Sequence, residues 1–143
     1  MVVVFSLDVL VAALVEGHPD HTRCASWVSK AKRGELTMLV AQTTVTELFA
    51  ALTALPVRPR ITPGMASRLV KGNIDPSQVI AVSPAAVWAV VDRAARTGAR
   101  SREVAELLVI HAAQSANADH VLSLDHRSLD RLGDVPSGFV LAP

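Results

Sequence analysis

Four acidic residues occupy apolar surroundings. Asp8 follows the run Val2-Val3-Val4-Phe5-Ser6-Leu7, and Glu47 lies inside Thr43-Thr44-Val45-Thr46-Glu47-Leu48-Phe49-Ala50. Glu106 precedes Leu107-Leu108-Val109-Ile110, and Asp125 closes His120-Val121-Leu122-Ser123-Leu124. An ionised carboxylate near a core is costly unless it is compensated, and four gathered together would repel one another. A divalent cation is the usual physical remedy. Oxygen ligands suit Mg²⁺ or Mn²⁺, whereas softer metals prefer nitrogen or sulfur. Magnesium takes few protein carboxylates and keeps several waters. One such water can become a nucleophile while the ion offsets charge building on a phosphate. Phosphodiester hydrolysis is the reaction class that follows most directly.

Each residue also has a plainer reading. Asp8 could cap the first helix, Glu47 could be a solvated helix residue, and Asp125 could belong to a turn. Arg102, Glu103 and Glu106 could form the wet face of a helix. His18, Asp20 and His21 resemble a metal cluster but lack a third convergent nitrogen or sulfur ligand, so they read as a capping turn. His111 is flanked by apolar residues and reads as a core histidine, while His120 and His126 flank the last strand. Cys24 falls on a helix stripe with Trp27 and Val28, as a packed thiol would. Arg58, Arg60, Arg68 and Lys71 form one basic group, and Arg93, Arg96, Arg100 and Arg102 a second.

The elements that must position these side chains are legible from periodicity. Val2 to Leu7 reads as a buried strand, and Val9 to Glu16 as a short helix broken by Gly17-His18-Pro19. Asp20 is placed to cap a helix through Lys32. Leu36 to Val40 is a second strand, and Thr43 or Thr44 can cap a helix to about Leu55. A stiff basic connector, Pro56 to Arg60, leads to Thr62-Pro63, a cap with a first-turn proline. The helix it opens runs to about Lys71. Gln78 to Val82 is a third strand. Ser83-Pro84 opens the clearest helix, ending at Thr97 with Gly98 in the terminating place. Arg102 to Asn117 is a further helix, Val121 to Leu124 a fourth strand, Ser128 to Arg131 a short helix, and Gly138 to Ala142 a final edge strand. Alternating strands and helices predict an α/β fold with a mostly parallel four- or five-stranded sheet covered on both faces. Ligands of such sheets bind beyond the carboxyl ends of the strands, the edge where Asp8 and Asp125 are expected.

The 143 residues are half apolar, enough for one compact domain spanning residues 1–143. A net charge of +1 gives no strong global field, so charged partners would need local patches. One cysteine excludes an internal disulfide and a cysteine zinc cluster. Two Trp, three Phe and no Tyr are too few for a stacking platform of the RRM or OB kind. Met1 leads straight into a strand-like run without a basic leader region, which argues against a signal peptide. No apolar run approaches the roughly 20 residues that span a bilayer. A cytoplasmic location with no membrane partner is the expectation.

Taken together, Leu7-Asp8-Val9, Gly17-His18-Pro19-Asp20-His21, Thr43-Thr44-Val45-Thr46-Glu47-Leu48, Val104-Ala105-Glu106-Leu107-Leu108 and Ala118 to Asp125 follow an order and spacing that resembles the PIN-domain family, and within it the VapC-type toxin ribonucleases of bacterial toxin–antitoxin pairs. The resemblance covers nearly the whole chain. It implies a three-layer PIN-like domain, a Mg²⁺-dependent endoribonuclease, a structured RNA substrate of the tRNA or rRNA class, a cognate antitoxin and a homodimer. Asp8, Glu47 and Asp125 match the family's acidic positions, and Ser123 a hydroxyl position near the last carboxylate. Two positions depart from the pattern. Glu106 stands where Asp is usual, leaving Glu103, about one turn earlier, as a fallback ligand. Leu10 replaces a small polar residue two places after the first Asp. Arg58, Arg60, Arg100 and Arg102 are the candidates for RNA phosphates. Ala50, Leu52, Leu55, Met65 and Leu69 are candidates for the antitoxin or a second protomer.

Two other functions compete. A PIN-like module could hold RNA or a protein without cutting, and the two departures are its support. A receiver or haloacid-dehalogenase-like phosphatase also places an Asp after a strand. The first lacks an acidic pair near that strand, the second has Leu10 where an Asp is needed, and neither has a convincing late lysine.

Overall fold

The computed structural model describes residues 1–132 and 134–143. Among these residues the strands are β1 (Val2–Phe5), β2 (Thr37–Ala41), β3 (Val79–Ile80), β4 (His120–Leu122) and β5 (Val140–Leu141). The helices are α1 (Leu7–Leu14), α2 (His21–Lys32), α3 (Gln42–Ala54), α4 (Pro63–Asn73), α5 (Pro84–Thr97), α6 (Arg102–Ser115) and α7 (His126–Arg131). The five strands form one sheet in the order β3-β2-β1-β4-β5, and every pairing is parallel. The expected mostly parallel sheet is therefore wholly parallel among the described residues.

Strand alternation builds the three layers. Side chains of successive strand residues point to opposite faces. Val3 and Phe5 of β1, with Leu122 of β4, enter a core shared with α1, α2, α3 and α4. Val4 and Val121 enter the opposite core, against α5, α6 and α7. Both faces of β1 and β4 are thus buried, which is why these strands read as unbroken apolar runs.

Several boundaries move from their expected places. β1 ends at Phe5 rather than Leu7, so Asp8 belongs to the first turn of α1 and not to a strand end. α3 starts at Gln42, directly after β2. Thr44 therefore lies inside the helix and cannot cap it, and its buried hydroxyl has no hydrogen-bond partner among the described residues. β3 is limited to Val79–Ile80 because Asp75 and Gln78 form a reciprocal cap around the 3₁₀ turn Pro76–Gln78. β4 stops at Leu122, which leaves Ser123 and Asp125 in the connection to α7.

The expected caps of α4 and α5 are present. Thr62 Oγ1 accepts from Met65 N at 3.2 Å, and Ser83 Oγ from Ala86 N at 3.1 Å. Gly98 ends α5 at φ 75°, a left-handed conformation that suits a residue without Cβ. Asp20 differs: it stands before α2, but its carboxylate is held by Arg23 at 2.6 Å instead of capping the helix. No helix among the described residues is long and apolar enough to cross a membrane.

Candidate active site

The carboxyl ends of β1 and β4 lie side by side, because Val3, Val4 and Phe5 pair with His120, Val121 and Leu122. The chain after each strand therefore meets its neighbour at one rim. α1 and α3 begin there after β1 and β2, and α6, which leads into β4 by way of residues 116–119, also starts toward that rim. Asp8, Glu47 and Glu106 all sit in the first two turns of their helices, near the electropositive ends.

Asp8 is held on both sides. Its Oδ1 accepts from the Ser6 hydroxyl and from Val9 N, and its Oδ2 from Leu124 N at 3.1 Å. The Ser123 hydroxyl stands 3.4 Å from Asp8 Oδ2 and 3.4 Å from Glu106 Oε2, and it accepts from Asp125 N at 3.0 Å. One hydroxyl proton thus faces two carboxylates. Both contacts are long for O–H···O bonds, as a single donor between two acceptors would be. Burial, followed by the charges of Asp8 and Asp125, raises the Glu106 carboxyl from the usual 4.5 to about 7. Burial also raises the carboxyl of Glu47, which has no hydrogen-bond partner among the described residues.

Asp8, Glu47 and Glu106 line one cleft of about 330 Å³, together with His18 and Arg102. Asp125 does not line it. Asp125 is exposed just before α7, and it lines a neighbouring cleft of about 320 Å³ with Arg100, Arg102, Glu103 and Glu106. Glu106 and Arg102 border both spaces. The expected convergence is therefore close for Asp8 and Glu106, across a cleft for Glu47, and around a helix edge for Asp125.

Glu103 faces another task. It accepts from Arg100 N at 3.1 Å, from Ser128 Oγ at 3.1 Å and from Arg131 at 3.3 Å. These bonds close the turn at Ser101, whose φ of 51° is left-handed, and tie α6 to α7. A carboxylate so engaged is a poor fallback ligand. Leu10 is buried in the core beneath α1, so a polar group there would point away from Asp8. Ser6, two residues before Asp8 instead of two after, supplies a hydroxyl to it. Sequence reasoning missed Ser6, although a hydroxyl interrupting the run Val2 to Leu7 was its signal.

The remaining candidates divide by location. Arg58 and Arg60 are exposed on the α3–α4 connection and line neither cleft. Arg93, counted in the second basic group, is buried: it bonds Gln114 at 3.0 Å and the Asp134 carbonyl at 2.8 Å, and its Nε lies 2.8 Å from the Asp134 carboxylate. Its charge is not free for a partner. His21 Nδ1 donates to the Ala12 carbonyl at 2.9 Å and His120 Nδ1 to the Gly138 carbonyl at 2.9 Å, so both are structural. Leu52 is core, whereas Ala50 and Met65 are exposed.

Among the described residues no group of three His, Cys, Asp or Glu side chains lies close enough to enclose an ion directly. The donor chemistry nonetheless fits a hard cation that keeps its waters. The groups are all oxygens, they crowd like charges, and the burial of Glu106 penalises its ionised form in the absence of a counter-charge.

No protein-family model matches the chain, and no curated protein matches it. Solved structures do. VapC20 of Mycobacterium tuberculosis, described as a sarcin–ricin loop cleaving toxin, superposes with a TM-score of 0.69 at 11% identity, over 89% of this chain and 94% of that one. VapBC2 of Rickettsia felis, bound to a DNA fragment from its promoter, gives 0.65 at 12% identity, over 100% of this chain and 99% of the other. This chain has a PIN-like fold. At these identities the likeness is one of architecture, and the PIN-like fold accounts for the parallel sheet and for the rim at which Asp8 and Glu106 meet.

Proposed function

We propose that the chain is a divalent-metal-dependent endoribonuclease of the VapC toxin type, acting on structured RNA and held in check by a cognate antitoxin. The observation that carries this reading is the sharing of one buried hydroxyl, that of Ser123, by the carboxylates of Asp8 and Glu106 at the rim of the sheet. The PIN-like fold shared with a sarcin–ricin loop cleaving toxin supports it.

Asp8, Glu47 and Glu106 would hold Mg²⁺ or Mn²⁺, with Asp125 approaching from the adjoining cleft. When bound, the ion would supply Lewis-acid stabilisation to charge on the scissile phosphate. The chain's own residues prepare that site. Ser6 and the N–H groups of Val9 and Leu124 donate to the Asp8 carboxylate and fix its orientation. Ser123 sets the spacing between Asp8 and Glu106. Arg102, bordering both clefts, offers a guanidinium to a phosphate passing between them. Arg58, Arg60 and Arg100 would meet more distant phosphates.

The reading includes a homodimer, a cytoplasmic location and an antitoxin contact. The exposed apolar face of α5, formed by Val87, Trp88 and Val91, is surface that such a contact would cover. The alternative is a module that holds RNA without cutting it, and the placement of Asp125 outside the main cleft favours that option.

Incubation of ribosomal and transfer RNA with the purified chain, with Mg²⁺ or with chelator, tests the proposal. Discrete products that need the metal and vanish in Asp8→Asn are expected. Intact RNA under every metal condition, with tight binding, would replace the nuclease by the module.

A further inference from the structure

The main cleft is larger than its carboxylates require. Val11 continues α1 one turn beyond Asp8, and Ala51 continues α3 one turn beyond Glu47. Ala105 and Val109 flank Glu106 on α6. These four small or aliphatic side chains give the cleft an apolar stretch beside its carboxylates. A cation, its waters and a phosphate gain nothing from such a wall. A planar heterocycle beside the phosphate does, because it removes apolar surface from water on its faces.

His18 also lines this cleft, beyond the end of α1. Its backbone is held in a turn, with His18 N donating to the Val15 carbonyl at 3.0 Å and the His18 carbonyl accepting from His21 N at 3.0 Å. The ring is held as well. Asp20 N donates to His18 Nδ1 at 3.0 Å, so Nδ1 carries no proton and the hydrogen bond selects the Nε2–H tautomer. Among the described residues Nε2 has no partner. A half-buried ring held at Nδ1, with one unused Nε2–H, offers a single directed donor, suited to a carbonyl or ring nitrogen on a base edge. Arg102 already provides the charge suited to a phosphate.

Resting on the ribonuclease reading, we propose that this apolar stretch is a nucleobase subsite, in which His18 donates its Nε2–H to the edge of one base adjoining the scissile phosphate. His18 is then a substrate-positioning residue that selects a base, with no part in holding the metal.

The test uses the whole chain with Mg²⁺ and five probes: the four ribonucleoside 5′-monophosphates and ribose 5-phosphate, which lacks a base. Calorimetry is expected to show at least one nucleotide binding more tightly than ribose 5-phosphate. His18→Ala should weaken that nucleotide about five- to tenfold, the worth of one neutral hydrogen bond, and leave ribose 5-phosphate unchanged. The Mg²⁺ concentration that half-maximally stabilises the chain should stay the same. His18→Gln, which retains an N–H donor, should recover part of the loss. If His18→Ala fails to fold, Ala105→Leu fills the stretch without touching the turn, and it should remove the advantage of the base while keeping the response to Mg²⁺.

Equal binding of all five probes overturns the proposal. So does an equal loss for nucleotide and ribose 5-phosphate in His18→Ala, and so does no binding of any probe at millimolar concentration. Base-dependent binding alongside uncut RNA would remove the nuclease reading and leave the subsite standing. Metal-dependent cutting without base dependence would do the reverse.

Discussion

Replacing Glu106 by Gln isolates the electrostatic cost of the site. The side chains have nearly the same shape, and the amide oxygen can still accept from Ser123. In the folded chain the Glu106 carboxyl is raised from 4.5 to about 7, first by burial and then by Asp8 and Asp125. The folded state therefore holds this proton more tightly than the unfolded state does. Its contribution to stability is fully present below about pH 4.5 and is lost as pH rises through about 7. A displacement of that size is worth about 3 kcal/mol at full burial, and partial exposure of the side chain brings it to about 2 kcal/mol. Glutamine does not ionise and escapes the loss. Urea denaturation of both proteins without divalent ions, at pH 5 and pH 8.5, should give similar midpoints at the lower pH. At the higher pH Glu106→Gln should be more stable by about 2 kcal/mol, or about 4–8 °C in melting temperature for a chain of this size. Mg²⁺ at pH 8.5 should raise the wild type more than the variant, because it offsets a charge that the variant lacks. A difference between the two proteins that is the same at both pH values would refute the assignment of Glu106 to a crowded acidic site.

Three shorter predictions follow from other parts of the structure. Ser123→Ala removes the hydroxyl shared by Asp8 and Glu106 and the acceptor of Asp125 N; chemical denaturation should show a loss of about 1–3 kcal/mol, and metal-dependent RNA cleavage should fall at least about tenfold. Arg93→Met breaks the buried link from α5 to Gln114 and Asp134; it should cost about 2–3 kcal/mol while the salt dependence of RNA affinity stays unchanged, since Arg93 is not a phosphate contact. The Cys24 thiol, fully buried and raised to about 11 chiefly by desolvation, should resist a thiol reagent at pH 8 in the native protein and react completely in denaturant. Rapid native labelling would show that the α1–α2 packing around it opens easily.

The covering of β1 and β4 on both faces was legible because two buried faces leave an uninterrupted apolar run, and caps such as Thr62, Ser83 and Gly98 state their geometry locally. The strand end at Phe5 was not legible. Leu7 resumes the apolar pattern after Ser6, and only the hydrogen bonds, Ser6 N to the Leu122 carbonyl across the sheet and Leu10 N back to the Ser6 carbonyl, show where strand gives way to helix. Arg93 was misread for a related reason. Its partner Asp134 lies 41 residues away, and a charged residue in a helix looks solvated until the fold brings that partner beside it.

The candidate site divides along the same line. Residue type and order alone were enough to single out Asp8, Glu47, Glu106 and Asp125 as candidates, because carboxylates beside apolar runs call for a compensating charge and their chemistry points to a hard cation; Ser123 entered only through the resemblance to the PIN-domain family. Which of them share a space was decided by tertiary structure. The parallel register of β1 with β4 sets Ser123 between Asp8 and Glu106, the left-handed turn at Ser101 commits Glu103 to α7, and the start of α7 draws Asp125 into the neighbouring cleft. Helix periodicity places Glu103 and Glu106 nearly one above the other, a separation too small for sequence to resolve. The packing of α6 against the sheet and α7 sends one carboxylate to the rim and the other to a structural bond.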